Sequence, residues 1–317
     1  MACRTAAPGC STPVSVHLGT GVFRVRARHQ SASLILLLVV VAACRPETGG
    51  AVRTLVDDAG DTVAVRAVAH RVVSLIPATT ELLFAIGAGP ELVGRTRWCD
   101  YPAAAAHVPD LGDGINPNVE GVVAARPDLV VLYLSAQDAS AARRLRALGI
   151  PAIQVRSDAL ADVPRLTRLL GSLTGRAAAA DSVAAAFERD LAAATAPVPA
   201  DPPSVFILVW DEPPMTVGAG SYLSELLARA GARNAFADLP ASSGRISIES
   251  AAARDPDLVF TSNAAVPAFA GRPEWQAVRA VRERRFIHAP GSEFSRPGPR
   301  APLAIRELRA RLAEAAR

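Results

Sequence analysis

The sequence predicts an α/β protein of two lobes, each a parallel sheet sheathed in helices, with a long rigid α-helix bridging them. Three observations carry that expectation. Short apolar runs alternate with helical stretches through residues 71–155 and again from residue 205 onward, which is the grammar of parallel sheets covered on both faces. Between these two regions the rhythm changes: Leu166, Leu169, Leu170, Leu173, Val183, Phe187 and Leu191 recur at roughly helical spacing. Finally, "NVEGVVAARPDLVVLY" (118–133) and "SIESAAARDPDLVFTS" (247–262) share the skeleton x-E-x-x-x-A-x-x-P-D-L-V. The echo divides the chain into an N-terminal lobe over 53–158, a bridge over 159–196 and a C-terminal lobe over 197–317.

The elements come in order. "RTLVDDAGDTVAV" (53–65) alternates around a D-A-G-D turn and reads as a β-hairpin. "RVVSLI" (71–76) is a strand, and the helix after it is capped by Thr79 or Thr80 and closed by Gly87 or Gly89. A strand at 91–94, a short helix over 118–127, a buried strand at 128–133, a helix over 140–149 and a strand at 151–155 complete the first lobe. The stretch 159–196 is one long helix or two nearly continuous ones. The second lobe repeats the pattern: strand 205–210, helix 221–231 capped by Ser221, the helix–strand unit 247–262, and helix then strand over 273–290. A closing helix has Pro299 or Pro302 near its first turn.

Composition bounds the function. Half of the 317 residues are hydrophobic, enough for a sizeable core, and every basic residue is arginine. A pI near 9.2 suggests nucleic acid, but the four arginines of residues 1–43, a segment without Asp or Glu, account for the whole net charge of +4. The remainder is neutral and has no electrostatic footprint for phosphate backbones. The same segment reads as a leader: basic "RVRARHQ", then apolar "LILLLVVVAA", too short to span a bilayer, then Cys44. The late basic cluster points to Val22 or Val25 as the true initiation site. "VAAC" resembles the lipobox of bacterial lipoproteins, which makes Cys44 the lipidated first residue of the mature chain and 44–52 a tether. Cys99 is then left without a disulfide partner.

"RVVSLIPATTELLFAIGAGPELVGRTRWCDYP" resembles the opening of class III substrate-binding proteins of ABC importers, receptors for cobalamin, iron–siderophores or haem. "WCDYP", "DEPPMTVGAGSYLSELLARAGARNAFAD" and "RPGPR" are most similar to the cobalamin-binding branch. The resemblance covers residues 53–317. It implies a lipid-anchored, monomeric receptor on the outer face of the cytoplasmic membrane, in the periplasm if there are two membranes. Cobalamin or a related corrinoid is its transported ligand, and a permease dimer with its ATPase subunits is its partner. Iron–siderophore or haem cargo is the alternative, and an envelope α/β enzyme is a third possibility. No phosphate loop, no G-x-S-x-G and no metal-ligand spacing of histidines supports the enzyme.

The resemblance also implies roles for residues. Glu120 and Glu249, one in each echo, correspond to the glutamates that dock on permease arginines; the bland alternative is a carboxylate placed favourably at a helix start. Trp98, Tyr101, Tyr133 and Trp210 stand at strand ends or in the loops after them, where an open α/β sheet holds its ligand; with Phe294 they are the candidate surface for a broad macrocycle. Ala78 is similar to the small residue that lets the backbone approach the ligand. Arg296 is similar to a cleft arginine facing an amide carbonyl or phosphate, unless a salt bridge occupies it. "GDGINPNVE" lacks the tryptophan that some cobalamin binders carry there. Trp275 belongs to core packing, and Cys99 is a buried thiol rather than a ligand to cobalt or iron.

Overall fold

The computed structural model describes residues 51–315. The leader, Cys44 and the tether up to residue 50 lie outside the described residues. The chain opens with the expected hairpin, β1 (Val52–Val56) against β2 (Thr62–Arg66), antiparallel. β3 (Val72–Ser74) comes next, then α1 (Pro77–Ala85), β4 (Leu92–Arg95), α2 (Val119–Ala124), β5 (Leu129–Tyr133), α3 (Ala136–Ala147) and β6 (Ala152–Val155). These strands form one all-parallel sheet in the order β4-β3-β5-β6.

α1 starts three or four residues earlier than expected, with Ile76 in the cap position. Pro77 occupies its first position, where a missing N–H costs nothing. Thr79 and Thr80 therefore lie inside the helix, and both hydroxyls donate back to the Ile76 carbonyl rather than capping.

The bridge differs more. Residues 159–196 are not a continuous rod: α4 (Asp162–Leu173) and α5 (Ala177–Ala194) meet at a turn where Gly175 adopts a φ of +70°. Arg168 lies 3.1 Å from Glu188 and 3.5 Å from Asp181, whereas twenty residues of straight helix span about 30 Å. The two helices are a hairpin, pressed so closely that a Cβ on Gly171 would sit 2.2 Å from that of Ala180. α4 packs on α1. Only α5 bridges the lobes. It begins beside the first lobe, where Arg176 pairs with Glu91 at 2.5 Å. It ends in the second, where the Ala196 N–H donates to Arg229 O and Arg309 donates to Ala194 O.

The second lobe contains β7 (Ser204–Ile207), β8 (Trp210–Asp211), β9 (Pro214–Val217), α6 (Tyr222–Ala230), β10 (Arg233–Asn234), β11 (Ser243–Arg245), α7 (Ile248–Ala253), β12 (Leu258–Thr261), α8 (Arg279–Arg282), β13 (Phe286–His288) and α9 (Ala301–Ala315). Its parallel sheet runs β10-β7-β12-β13, the same order as the first when strands are counted within each lobe. Ser221 caps α6 by accepting from the Ser224 N–H, and Gly231 at φ +91° ends it, as expected. A small antiparallel sheet, β11-β9-β8, is grafted between β7 and the rest of the lobe, and the sequence pattern does not foretell it.

The P-D-L-V echo has a shared mechanical role. Arg126 and Asp255, each one residue before the proline, both adopt positive φ (47° and 43°) as the helix gives way to the strand. The next acidic residue pins the start of the lobe's first strand. Asp128 accepts from the His70 and Arg71 N–H groups at 3.0 and 2.9 Å, and Asp257 from that of Ser204 at 2.9 Å. One apolar cluster runs through both lobes, from Leu82, Leu83 and Leu129 through Leu170 and Phe187 to Leu226, Ile305 and Leu308. Smaller clusters fill the outer layer of each lobe, Val122, Leu132 and Leu145 in the first and Phe206, Phe236 and Trp275 in the second.

Candidate ligand cleft and docking glutamates

The carboxyl ends of both parallel sheets face a common cleft. Two cavities lie between the lobes, and two more, lined by the second lobe alone, share residues with them. The most evenly shared, 340 Å³, lies between Tyr133, Ser157 and Asp158 of the first lobe and Ser221, Tyr222 and Leu223 of the second. A 500 Å³ cavity extends it past Trp98 and Asp100 on one side and Gly291 and Arg296 on the other. Ser295 lines both, and Ser262 links the second to cavities of 210 and 180 Å³ beside Phe260 and Trp210.

Two tryptophans stand at this cleft, one from each lobe. Trp98 is 58% exposed and Trp210 60%, far from the burial expected of rings that cap a core. The Trp98 loop comes after β4. Trp210 lies in β8, and its indole N–H donates to the Glu212 carbonyl at 2.7 Å, which fixes the ring plane. Tyr133, at the end of β5, donates its hydroxyl to Asp158 at 2.6 Å. Partial burial, then the neighbouring Asp158 carboxylate, push its phenol up to about 12.

Other expected contacts fall differently. Ala78 is buried within α1, and the residue at the cleft wall is Pro77. Phe294 is 2% exposed and packs edge-on against Phe260, so it forms the floor of the 210 Å³ cavity rather than an open stacking face. Tyr101 offers one face to Arg300, whose guanidinium lies 4.1 Å from the ring centre, and lines none of the four cavities. Arg296 does reach the cleft, but it is occupied: it donates to Trp98 O at 2.9 Å and to Asp100 at 2.5 Å, and lies 3.5 Å from Glu81. Cys99 is buried, its thiol 3.2 Å from the Thr80 hydroxyl and 3.3 Å from that of Thr96. Trp275 is core, 4.7 Å from the Phe269 ring. Among the described residues no group of three or more His, Cys, Asp or Glu forms a metal site.

Sequence reasoning misses the partner of those arginines. Glu81, in the otherwise apolar face of α1, is 1% exposed at its side chain and receives two bonds from Arg300, at 2.9 and 2.7 Å. Arg300 also pairs with Glu293. The two arginines of "RPGPR" thus converge from the second lobe on one buried carboxylate of the first. A lone glutamate in "TTELLFAIG" is the signal that could have found it, because a buried charge requires a partner.

Glu120 and Glu249 are each the second residue of a short helix, α2 and α7, at equivalent places in the two lobes. Both are exposed. Caps from Asn118 and Ser247 hold the two helix starts, and the carboxyl of Glu249 is held below its usual range by its own backbone N–H and by Ser247.

Residues 72–293 match the model of the periplasmic binding protein family. The chain belongs to that family. As a periplasmic binding protein it is 27% identical, over 262 residues, to the vitamin B12-binding protein of Pectobacterium atrosepticum, covering 79% of this chain and 91% of that one. It is 28% identical over 299 residues to the uncharacterized ABC transporter substrate-binding lipoprotein YvrC of Bacillus subtilis, covering 87% and 94%. The periplasmic haem-binding protein RhuT from Roseiflexus sp. RS-1, in its apo form, superposes with a TM-score of 0.70 at 25% identity, covering 78% of this chain and 99% of RhuT.

Proposed function

We propose that this periplasmic binding protein captures cobalamin or a related corrinoid in the cleft between its lobes and delivers it to an ABC permease dimer with its ATPase subunits. The observation that carries the reading is the pair of exposed tryptophans, Trp98 and Trp210, standing on opposite lobes at one cleft. Indole faces suit a broad, flat macrocycle. The similarity to a vitamin B12-binding protein supports the same cargo. Glu120 and Glu249 are the docking pegs, one per lobe, whose fixed separation suits a pair of basic sockets on the permease. A lipid on Cys44 tethers the monomer to the outer face of the cytoplasmic membrane, which the similarity to a substrate-binding lipoprotein supports. The protein itself performs no chemistry on its cargo.

Haem is the competing cargo, favoured by the likeness to RhuT. Titrating residues 45–317 with cyanocobalamin, cobinamide, haem and a ferric hydroxamate, while monitoring tryptophan quenching, separates the two. Tight response to the corrinoids alone is expected. Response to haem or the hydroxamate alone would replace corrinoid by iron cargo, and silence from all four would point to a cargo outside both classes.

A further inference from the structure

The charges of the cleft are unequal. Four charged residues line its cavities: Asp100, Asp158, Asp211 and Arg296. Arg296 is spent on Asp100 and Glu81, and Asp211 faces Arg272 at 3.3 Å. Asp158 alone has no cation within ion-pair distance among the described residues. The arginines nearest it in sequence are turned elsewhere, Arg165 to Asp58 and Asp162 and Arg156 to Asp162. One oxygen of Asp158, Oδ1, takes the Tyr133 hydroxyl at 2.6 Å. No described residue donates to Oδ2.

Beside it lies a second unsatisfied group. Ser157 is 8% exposed, lines the same 340 Å³ cavity, and its hydroxyl has no hydrogen-bond partner among the described residues. A buried hydroxyl left without a partner is costly. Adjacent residues therefore offer the cavity a free carboxylate acceptor and a free hydroxyl donor. One neutral group satisfies both together: a primary carboxamide, whose NH₂ donates to Asp158 and whose carbonyl accepts from Ser157.

We infer that Ser157 and Asp158 form a carboxamide subsite that sets the peripheral charge of the cargo, accepting an amide edge and rejecting a carboxylate in its place. The subsite rests on the reading of the cleft as a macrocycle site and deepens it, because it favours a ligand fringed with amides over one fringed with acids. A carboxylate placed there meets a like charge with no counter-ion, a juxtaposition that a desolvated interface strongly disfavours.

The test uses two matched pairs of ligands. The first is cyanocobalamin against its isomeric monocarboxylic acids, each with one peripheral amide hydrolysed. The second is a ferric hydroxamate chelate bearing a succinamide arm, which ends in a primary carboxamide, against the same chelate bearing a succinate arm, which ends in a carboxylate. Which scaffold binds reports on the proposed cargo; the ratio within a pair reports on the subsite. At least one acid isomer is expected to bind about ten- to a hundredfold more weakly than the amide parent, and Asp158→Asn is expected to close that gap to about threefold or less. Ser157→Ala is expected to weaken the amide ligand several-fold and leave the acid penalty in place. The Asp158 N–H bond to Asp162 is made by the backbone and survives these substitutions; Asp158→Ala serves as a second variant, with thermal melting confirming the fold. Equal affinity for amide and acid in the native protein, or a gap unchanged in both Asp158 variants, overturns the inference even if corrinoids bind. Binding of neither scaffold overturns the inference and the cargo together.

Discussion

The two lobes share a sheet order and differ in the route the chain takes out of their first strand. In the first lobe, β3 passes straight into α1 through Pro77. In the second, β7 detours through β8 and β9 before α6 begins, and that detour carries Trp210 toward the cleft. Where the lobes are alike, they hold the proposed docking pegs Glu120 and Glu249 and the strand clamps Asp128 and Asp257. Where they differ, they hold the groups that line the cleft: Trp98, Tyr133 and Asp158 on one side, Trp210 and Tyr222 on the other. A two-fold partner needs matching faces, whereas an asymmetric cargo needs unlike walls.

That contrast can be broken at several points. Reversing both pegs, Glu120→Arg with Glu249→Arg, is expected to abolish uptake in cells while cargo affinity in vitro stays unchanged; normal uptake would remove the docking role and leave a pair of exposed helix-start carboxylates. Glu81→Ala removes the buried carboxylate that Arg296 and Arg300 share, leaving them only Asp100 and Glu293, and it has no counterpart in the other lobe. Breaking a buried pair in this way costs about 3–5 kcal/mol, which urea unfolding would register.

The strand clamps sharpen the comparison. Asp128→Ala and Asp257→Ala are each expected to cost about 1–3 kcal/mol, with the first larger because Asp128 receives two backbone N–H groups and Asp257 one. Equal losses would mean that the second bond adds nothing. Trp98→Ala and Trp210→Ala are expected to lower cargo affinity by about tenfold each, the scale of a lost aromatic stack, with melting temperatures unmoved.

A further effect, read along the pH axis, concerns Asp138 in α3, which is 4% exposed with one carboxylate oxygen unpartnered among the described residues. Burial raises its pKa to about 6, only partly opposed by the Ser135 hydroxyl. The native state therefore holds a proton that the unfolded chain has released, and stability from this group falls as pH rises from about 4 to 6. Asp138→Asn is expected to flatten that slope in urea midpoints measured across the interval.

Much of the fold was legible because local signals and tertiary packing agreed. The P-D-L-V echo marked equivalent units, Ser221 and Gly231 bounded a helix, and the unbroken apolar strands announced sheets buried on both faces. The bridge reads in the sequence as one helix or two nearly continuous ones because apolar spacing persists on both sides of Gly175, and one glycine says little about whether a helix merely weakens or reverses. The antiparallel graft of β8, β9 and β11 escaped because strands of two to four residues leave almost no alternation to detect. At the site, the exposed tryptophans were readable from their place near strand ends. Tyr101 and Phe294 were not, since the fate of each depends on a distant neighbour, Arg300 for the first and Phe260 for the second. Arg296 reached the cleft but found Asp100 and Glu81 first.

The ion cluster around Glu81, together with the apolar seam behind it, carries an evolutionary consequence. A chain that doubled an ancestral half would at first have possessed two units able to fold in isolation. Here a solitary first half would have to dissolve a carboxylate that lies 1% exposed, and a solitary second half would present Leu226, Ile305 and Leu308 to water on the side where they now join the common cluster. The symmetry persists in the wiring of the strands, but neither half is self-sufficient, and severing the molecule at its waist should yield two fragments that need each other to stay in solution.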